Sequence, residues 1–454
     1  MKLSTALLLI LALAGLSRSA TVPVAESRAW RDEALRAGRV VLEKHQCGRC
    51  HVISGEKEWS RAMSCRECHG FVASTRGKPD EIRKQEATYP EWKEYVQNVR
   101  HYLTLPNLSL IAARVRPAFI ERFLTAPFDL RPALEESMIR TTMTRQELRA
   151  VVRYFAARAD VADPYPAGAT VAAPGTPLPA KNDALVARGE ALFAQKGCAS
   201  CHLYGNKDFG AMVNAEFLGS MGRYAALAPD LRFARERIRP EILVDWIIDP
   251  RTIDPASAMP PTNVTREEAE ALAQFVLHGK IPPFVPEPAQ PARPRPEKIT
   301  YEALDRAIFS RICIHCHEVD GETDNGAGNG GGLGYAGKGF SFASVESFLR
   351  GSKTADGTYA SVLRRGKSGK PVLLERLELR VMENRRDYVK PFAQVRDHSQ
   401  VPYPVRGPGM PLGLPALSPE KLDMIRAWIA DGARTEDGRS LLPGKASSSA
   451  RPRR

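Results

Sequence analysis

Past its first twenty residues, the chain has no apolar run approaching the ~20 residues that a bilayer span requires. Spare cysteine is lacking too: eight are present, and all eight fall in four short clusters. A disulfide framework would not explain why a histidine follows the second cysteine of every cluster. Zinc fares no better, since each cluster supplies three ligands crowded at one point where four are needed. A phosphate-cradling loop ending in Gly-Lys-Ser/Thr is missing, and so is a nucleophile–base pair. Hydrophobic content is 43% and charged content 26%, an ordinary balance that leaves little room for extensive disorder.

What is there is a pattern repeated four times. Cys47-Gly-Arg-Cys50-His51 is followed closely by Cys65-Arg-Glu-Cys68-His69, then by Cys198-Ala-Ser-Cys201-His202 and Cys313-Ile-His-Cys316-His317. Two thiols spaced by two residues can add across the two vinyl groups on one edge of a porphyrin. The next side chain is then placed beneath the iron as its proximal ligand. The pattern therefore reads as c-type haem attachment, four haems in all. The second attachment point lies only 18 residues after the first, so those two haems should be neighbours.

The first twenty residues stand apart. Lys2, the apolar run 6–13 and the small residues around Ser19 and Ala20 resemble a secretory signal peptide, with no cysteine near the cleavage point for lipid attachment. Export to the bacterial periplasm suits haem attachment, which takes place outside the cytoplasm. The formal charge is +13, or about +11 once Lys2 and Arg18 leave with the signal. An acidic redox partner fits that charge, while the dispersed arginines and the exported location argue against nucleic acid.

Two stretches rich in Pro, Ala and Gly, residues 161–182 and 281–298, read as semi-rigid spacers. They separate segments 30–160, 183–280 and 299–435, with a basic tail over 436–454. The first two segments are repeats. Gly38 and Gly189 each precede the first cysteine by nine residues, with Leu42 and Phe193 on the same face of a short leading helix. Pro106-Asn107-Leu108 matches Pro229-Asp230-Leu231, and the proline-bounded helical stretch 117–127 matches 240–250. Met138 and Met259 each stand six residues before a capping box, Thr144-Arg-Gln-Glu147 and Thr265-Arg-Glu-Glu268. Met410 precedes Ser418-Pro419, a cap with proline in the first helical position. Ten residues past each cap is an aromatic: Tyr154, Phe275 and Trp428.

Each segment thus resembles a class I cytochrome c domain. The resemblance implies an all-α fold of three helical domains in tandem, the first holding two haems. It also implies methionine as the far-side ligand of the iron: Met138 (with Met143 as its rival), Met259 and Met410. Such small domains bury little apolar surface alone, so the porphyrin serves as core. An iron held by His and Met keeps its ligands in both oxidation states, which suits electron transfer.

Three methionines for four haems leave the Cys65–Cys68 iron one ligand short. His101, in a helical run expected over 92–103, is the first candidate and His45 the second; two-histidine ligation often accompanies closely spaced motifs in multihaem cytochromes. With neither bound, the iron would be open to chemistry. His278, His315 and His398 have no evident role. The third segment carries some ninety residues between His317 and Met410. Within them, 321–339 reads as a flexible glycine-rich surface loop and 373–382 as a helix. The resulting expectation is an exported tetrahaem carrier of electrons between redox proteins. The alternatives are a haem enzyme acting on peroxide or on sulfur or nitrogen oxyanions, and an electron-transfer subunit of a membrane respiratory complex.

Overall fold

The computed structural model describes residues 24–89, 92–134, 136–210, 221–282, 298–318, 331–383 and 407–443. The expected leader, most of the second spacer, His398 and the end of the basic tail lie outside the described residues. The first segment comprises α1 (Val24–Lys44), α2 (Cys65–Ser74), α3 (Pro79–Glu86), α4 (Trp92–Asn98), α5 (Pro117–Thr125) and α6 (Arg145–Arg158). The second comprises α7 (Asp183–Gln195), α8 (Leu243–Ile248) and α9 (Arg266–His278).

In both segments the leading and closing helices cross, α1 on α6 and α7 on α9, and one glycine makes the approach possible. A Cβ on Gly38 would lie 2.3 Å from Tyr154 Cβ, and one on Gly189 would lie 1.9 Å from the Ala271 carbonyl oxygen. The glycine nine residues before each cysteine is therefore a packing requirement. Both capping boxes form: the Thr144 and Thr265 hydroxyls accept from the Glu147 and Glu268 N–H groups, and each carboxylate accepts from its cap's N–H. The repeated aromatics Tyr154 and Phe275 are fully buried at these crossings.

The third segment has α10 (Val345–Arg350), α11 (Val372–Glu383) and α12 (Pro419–Ala430), the last capped by Ser418 as expected. Its leading helix differs. Leu304 stands where the other segments have glycine, and the chain continues as a π-helix over Asp305–Cys313. Trp428 is fully buried against Tyr301 and Phe348. A fourth, small core of Val72, Trp92, Val96 and Val99 joins α2 to α4.

Several expectations change. The first spacer does not hang free: Tyr165 and Ala172 belong to the first segment's core, and the Arg116 guanidinium donates to the Pro174 carbonyl at 2.7 Å. The third segment extends to Leu441, 1% exposed. The described part of the glycine-rich stretch is a docked hairpin, β1 (Gly331–Gly332) paired with β2 (Tyr335–Ala336). The Leu333 N–H donates to Gln46 Oε1 at 3.0 Å, and the Thr142 hydroxyl donates to the Gly334 carbonyl at 2.8 Å. Gly334 has φ +83° and passes so close to His45 that a Cβ would be 2.4 Å from its Nδ1. Glycine there serves close approach rather than flexibility.

Segments one and two meet about a local two-fold relation. Val115 and Ile238, equivalent in the repeats, pair as an antiparallel bridge. The Arg116 N–H donates to the Arg237 carbonyl at 2.8 Å, and Arg239 N–H reciprocally to the Arg114 carbonyl at 3.1 Å.

Candidate functional site

Tight turns bring each pair of thiols and its histidine together. In the first, third and fourth clusters the histidine N–H donates back to the first cysteine's carbonyl, at 3.0, 3.0 and 3.1 Å. Gln46 (φ 52°) and Gly197 (φ 75°) turn the chain left-handed just before two of these clusters. The second cluster instead opens α2, capped by Ser64.

The four histidines share one feature that spacing does not reveal. Nδ1 of His51 lies 3.0 Å from the Pro106 carbonyl, and Nδ1 of His69 2.7 Å from that of His101. His202 is 3.0 Å from the Pro229 carbonyl and His317 2.9 Å from that of Phe340. A carbonyl only accepts, so Nδ1 carries the proton and Nε2 keeps its lone pair for a metal. Burial pushes the pKa values of His51, His69 and His202 down, which favours the neutral ring that ligates. The repeated Pro106 and Pro229 were legible as a motif, but their role as acceptors required the fold.

A cavity of about 1990 Å³ connects three clusters: Cys50 and His51, Cys65 to His69, and Cys313 to His317 all line it, with Met138 and Met410. The Cys50 and Cys65 sulfurs are in hydrogen-bond contact. That contact draws Cys65 down to about 7 and pushes Cys50 up. Burial pushes Cys47 and Cys313 to about 12.

Met143, 2% exposed, is part of the first core, whereas Met138 faces the cavity. Met259 is half-buried, and its N–H donates to the Ser257 hydroxyl at 3.2 Å. The loop of Met410 is anchored on α11. The Met410 N–H donates to the Arg376 carbonyl at 2.9 Å, and the Gly409 N–H to Glu383 Oε1 at 2.9 Å. α4 ends at Asn98, so His101 is not helical; it occupies a bend where its carbonyl sits behind His69 and its ring 3.6 Å from the Glu136 carboxylate. His45 is buried beside Glu147, 3.7 Å away, and does not line the cavity.

Two groups of residues were missed in the sequence. Tyr102 (φ 59°) stacks edge-on to the His69 ring at 5.3 Å and donates its hydroxyl to the Leu412 carbonyl at 2.8 Å, linking the second cluster to the Met410 loop. Arg114, Arg131 and Arg237 form a buried cationic cluster between segments one and two. Burial, then Arg131 and Arg114, pushes Arg237 down to about 9; burial and Arg114 push Arg131 to about 10. Arg114 is paired with Asp254, but Nε of Arg237 is buried with no acceptor among the described residues. The signal was present as the repeated Arg114-Val-Arg-Pro117 and Arg237-Ile-Arg-Pro240.

A buried guanidinium without an anion is costly. Arg131 and Arg237 open onto the same cavity as His51, so the site fits a group that carries carboxylates and is tethered by thiols below a histidine-bound metal. Residues 186–280 match the Cytochrome c family model. No curated protein and no solved structure matches the chain. Residues 186–280 are therefore a cytochrome c domain, which implies electron transfer and covalently bound haem c there. The helix-rich fold agrees, and among the described residues no helix is long and apolar enough to cross a membrane.

Proposed function

We propose, from the cytochrome c domain of residues 186–280, that all three segments carry haem and that the chain is an exported tetrahaem cytochrome passing electrons between redox proteins. The observation that carries this reading is the recurrence of one local geometry at four places: paired thiols, and a histidine whose Nδ1 is held by a backbone carbonyl. Bound haem supplies a one-electron iron couple at each site. The chain's own residues do the rest. The eight cysteines tether, and His51, His69, His202 and His317 present Nε2. Met138, Met259 and Met410 would hold the irons of the first, third and fourth clusters from the other side. Arg131 and Arg237 would hold carboxylates at the junction of the first two segments. The shared cavity and the Cys50–Cys65 contact support close placement of the first two haems, and the third segment's site opens onto the same space. The net charge of +13 favours acidic docking partners, a membrane respiratory complex among them.

The test is a mass of the matured protein together with haem-linked peroxidase staining after denaturing electrophoresis. Four added porphyrins are expected. A mass showing one, confined to the peptide around Cys198, would reduce the reading to the matched domain alone. Three sulfur–iron absorption bands per chain are expected from the methionine assignments.

A further inference from the structure

Thioether attachment in the third segment uses Cys313, Cys316 and His317, which leaves His315 between them without a task. The structure directs it away from its own segment. The π-helix Asp305–Cys313 packs on α4, with Arg311 3.9 Å from Glu94. The turn that follows delivers the His315 ring to 4.0 Å from the Tyr95 ring, tilted 47°. There it lines the cavity beside Cys65, Cys68 and His69, and His69 is its ionisable neighbour. Neither ring nitrogen of His315 has a hydrogen bond to a described residue; the ring packs on that of Tyr95.

The other candidates are placed less well. His101 supplies the carbonyl behind His69, on the Nδ1 side, while a sixth ligand must approach from the opposite face. Its ring is turned to Glu136. His45 is sealed beneath Gly334 and does not reach the cavity. The α2–α4 unit itself holds no methionine, and the cavity-lining Met138 and Met410 are assigned above to the first and fourth clusters, which leaves this site to a ligand from elsewhere.

We infer that His315 is the sixth ligand of the iron held by Cys65, Cys68 and His69, lent by the third segment to the first. The inference rests on the tetrahaem reading above. It gives that iron two imidazoles and a saturated coordination sphere, so this haem carries electrons and does not bind substrate. It also makes saturation of that iron depend on docking of the third segment.

The matured full chain and its His315→Ala, His315→Met and His101→Ala variants test this by electron paramagnetic resonance of the oxidised form and carbon monoxide uptake of the reduced form. The parent should show one two-imidazole haem and negligible uptake. His315→Ala should lose that signature and bind carbon monoxide at one haem in four. His315→Met should replace the signature with a further sulfur–iron band, and His101→Ala should leave it intact. A two-imidazole signature that survives His315→Ala, or that disappears in His101→Ala instead, overturns the assignment. A parent with four haems and no such signature overturns it as well. The haem count by mass separates the two levels: fewer than four porphyrins in the parent sinks the tetrahaem reading, whereas four with an unmoved spectrum sinks only the role of His315.

Discussion

A guanidinium sealed from water, with two others for neighbours, is tolerated only if an anion joins it. Arg237 comes close to that position: it is 7% exposed, its Nε is buried without a partner among the described residues, it faces Arg131 and Arg114, and its remaining opening is onto the cavity. If it holds a haem carboxylate, its charge also favours the reduced iron. At about 10 Å and an effective dielectric near 20, one charge is worth about 1–2 kcal/mol. Arg237→Gln should therefore lower one midpoint potential, by roughly tenfold in electron affinity, with the haem count unchanged. A spectroelectrochemical titration that leaves every potential in place would remove Arg237 from the site. At this scale the sequence was most legible where the chemistry demands neighbours in the chain, as in Cys47 to His51. It was least legible where partners come from afar. The carbonyls behind the four histidines are 23 to 55 residues distant, and no residue type marks them.

Elements were readable wherever a local rule decided them. The caps at Thr144, Thr265 and Ser418 and the helix at Val372–Glu383 follow from side chains within one turn. α4 was overextended because the run to Leu103 keeps an apolar rhythm. Glu136 instead accepts the Tyr102 N–H at 2.9 Å, and this tertiary bond holds the chain in a bend. The helix crossings give a sharp test. Gly38→Ala should destabilise the protein by about 1–3 kcal/mol through overpacking. Gly189→Ala should cost more, because the new methyl would meet the Ala271 backbone, which cannot swing aside. Equal melting temperatures for the two variants and the parent would show that the helices do not cross there. The α6 cap adds a pH signature. Burial opposes ionisation of Glu147, yet the Lys44 ammonium and the Thr144 cap hold it down to about 2, against an ordinary 4.5. A depressed carboxylate stabilises the fold above its unfolded value and loses that contribution as pH falls through its folded one. Between about pH 4.5 and 2, Glu147→Gln should therefore show a shallower loss of stability in urea titrations than the parent.

At the scale of the whole molecule, three units legible as repeats turn out to be interlocked, and repetition alone could not have said so. The hairpin at 331–336 docks on Gln46 and Thr142, Arg380 reaches from α11 to the Ser137 hydroxyl at 2.9 Å, and Tyr102 reaches back to Leu412. Tyr102 is the most consequential of these ties, because it touches the His69 ring at one end and the Met410 loop at the other. Tyr102→Phe keeps the ring packing and removes one hydroxyl, leaving the Leu412 carbonyl without that donor, at a cost of about 1–3 kcal/mol where it is buried. The loss falls two residues from Met410. The expected result is a weakened sulfur–iron band from one haem of four, with the thioethers and the His69 environment intact. A band of parental strength in Tyr102→Phe, in a protein that melts at the parental temperature, would mean that the Met410 loop is held by Arg376 and Glu383 alone and that the first and third segments communicate by another route.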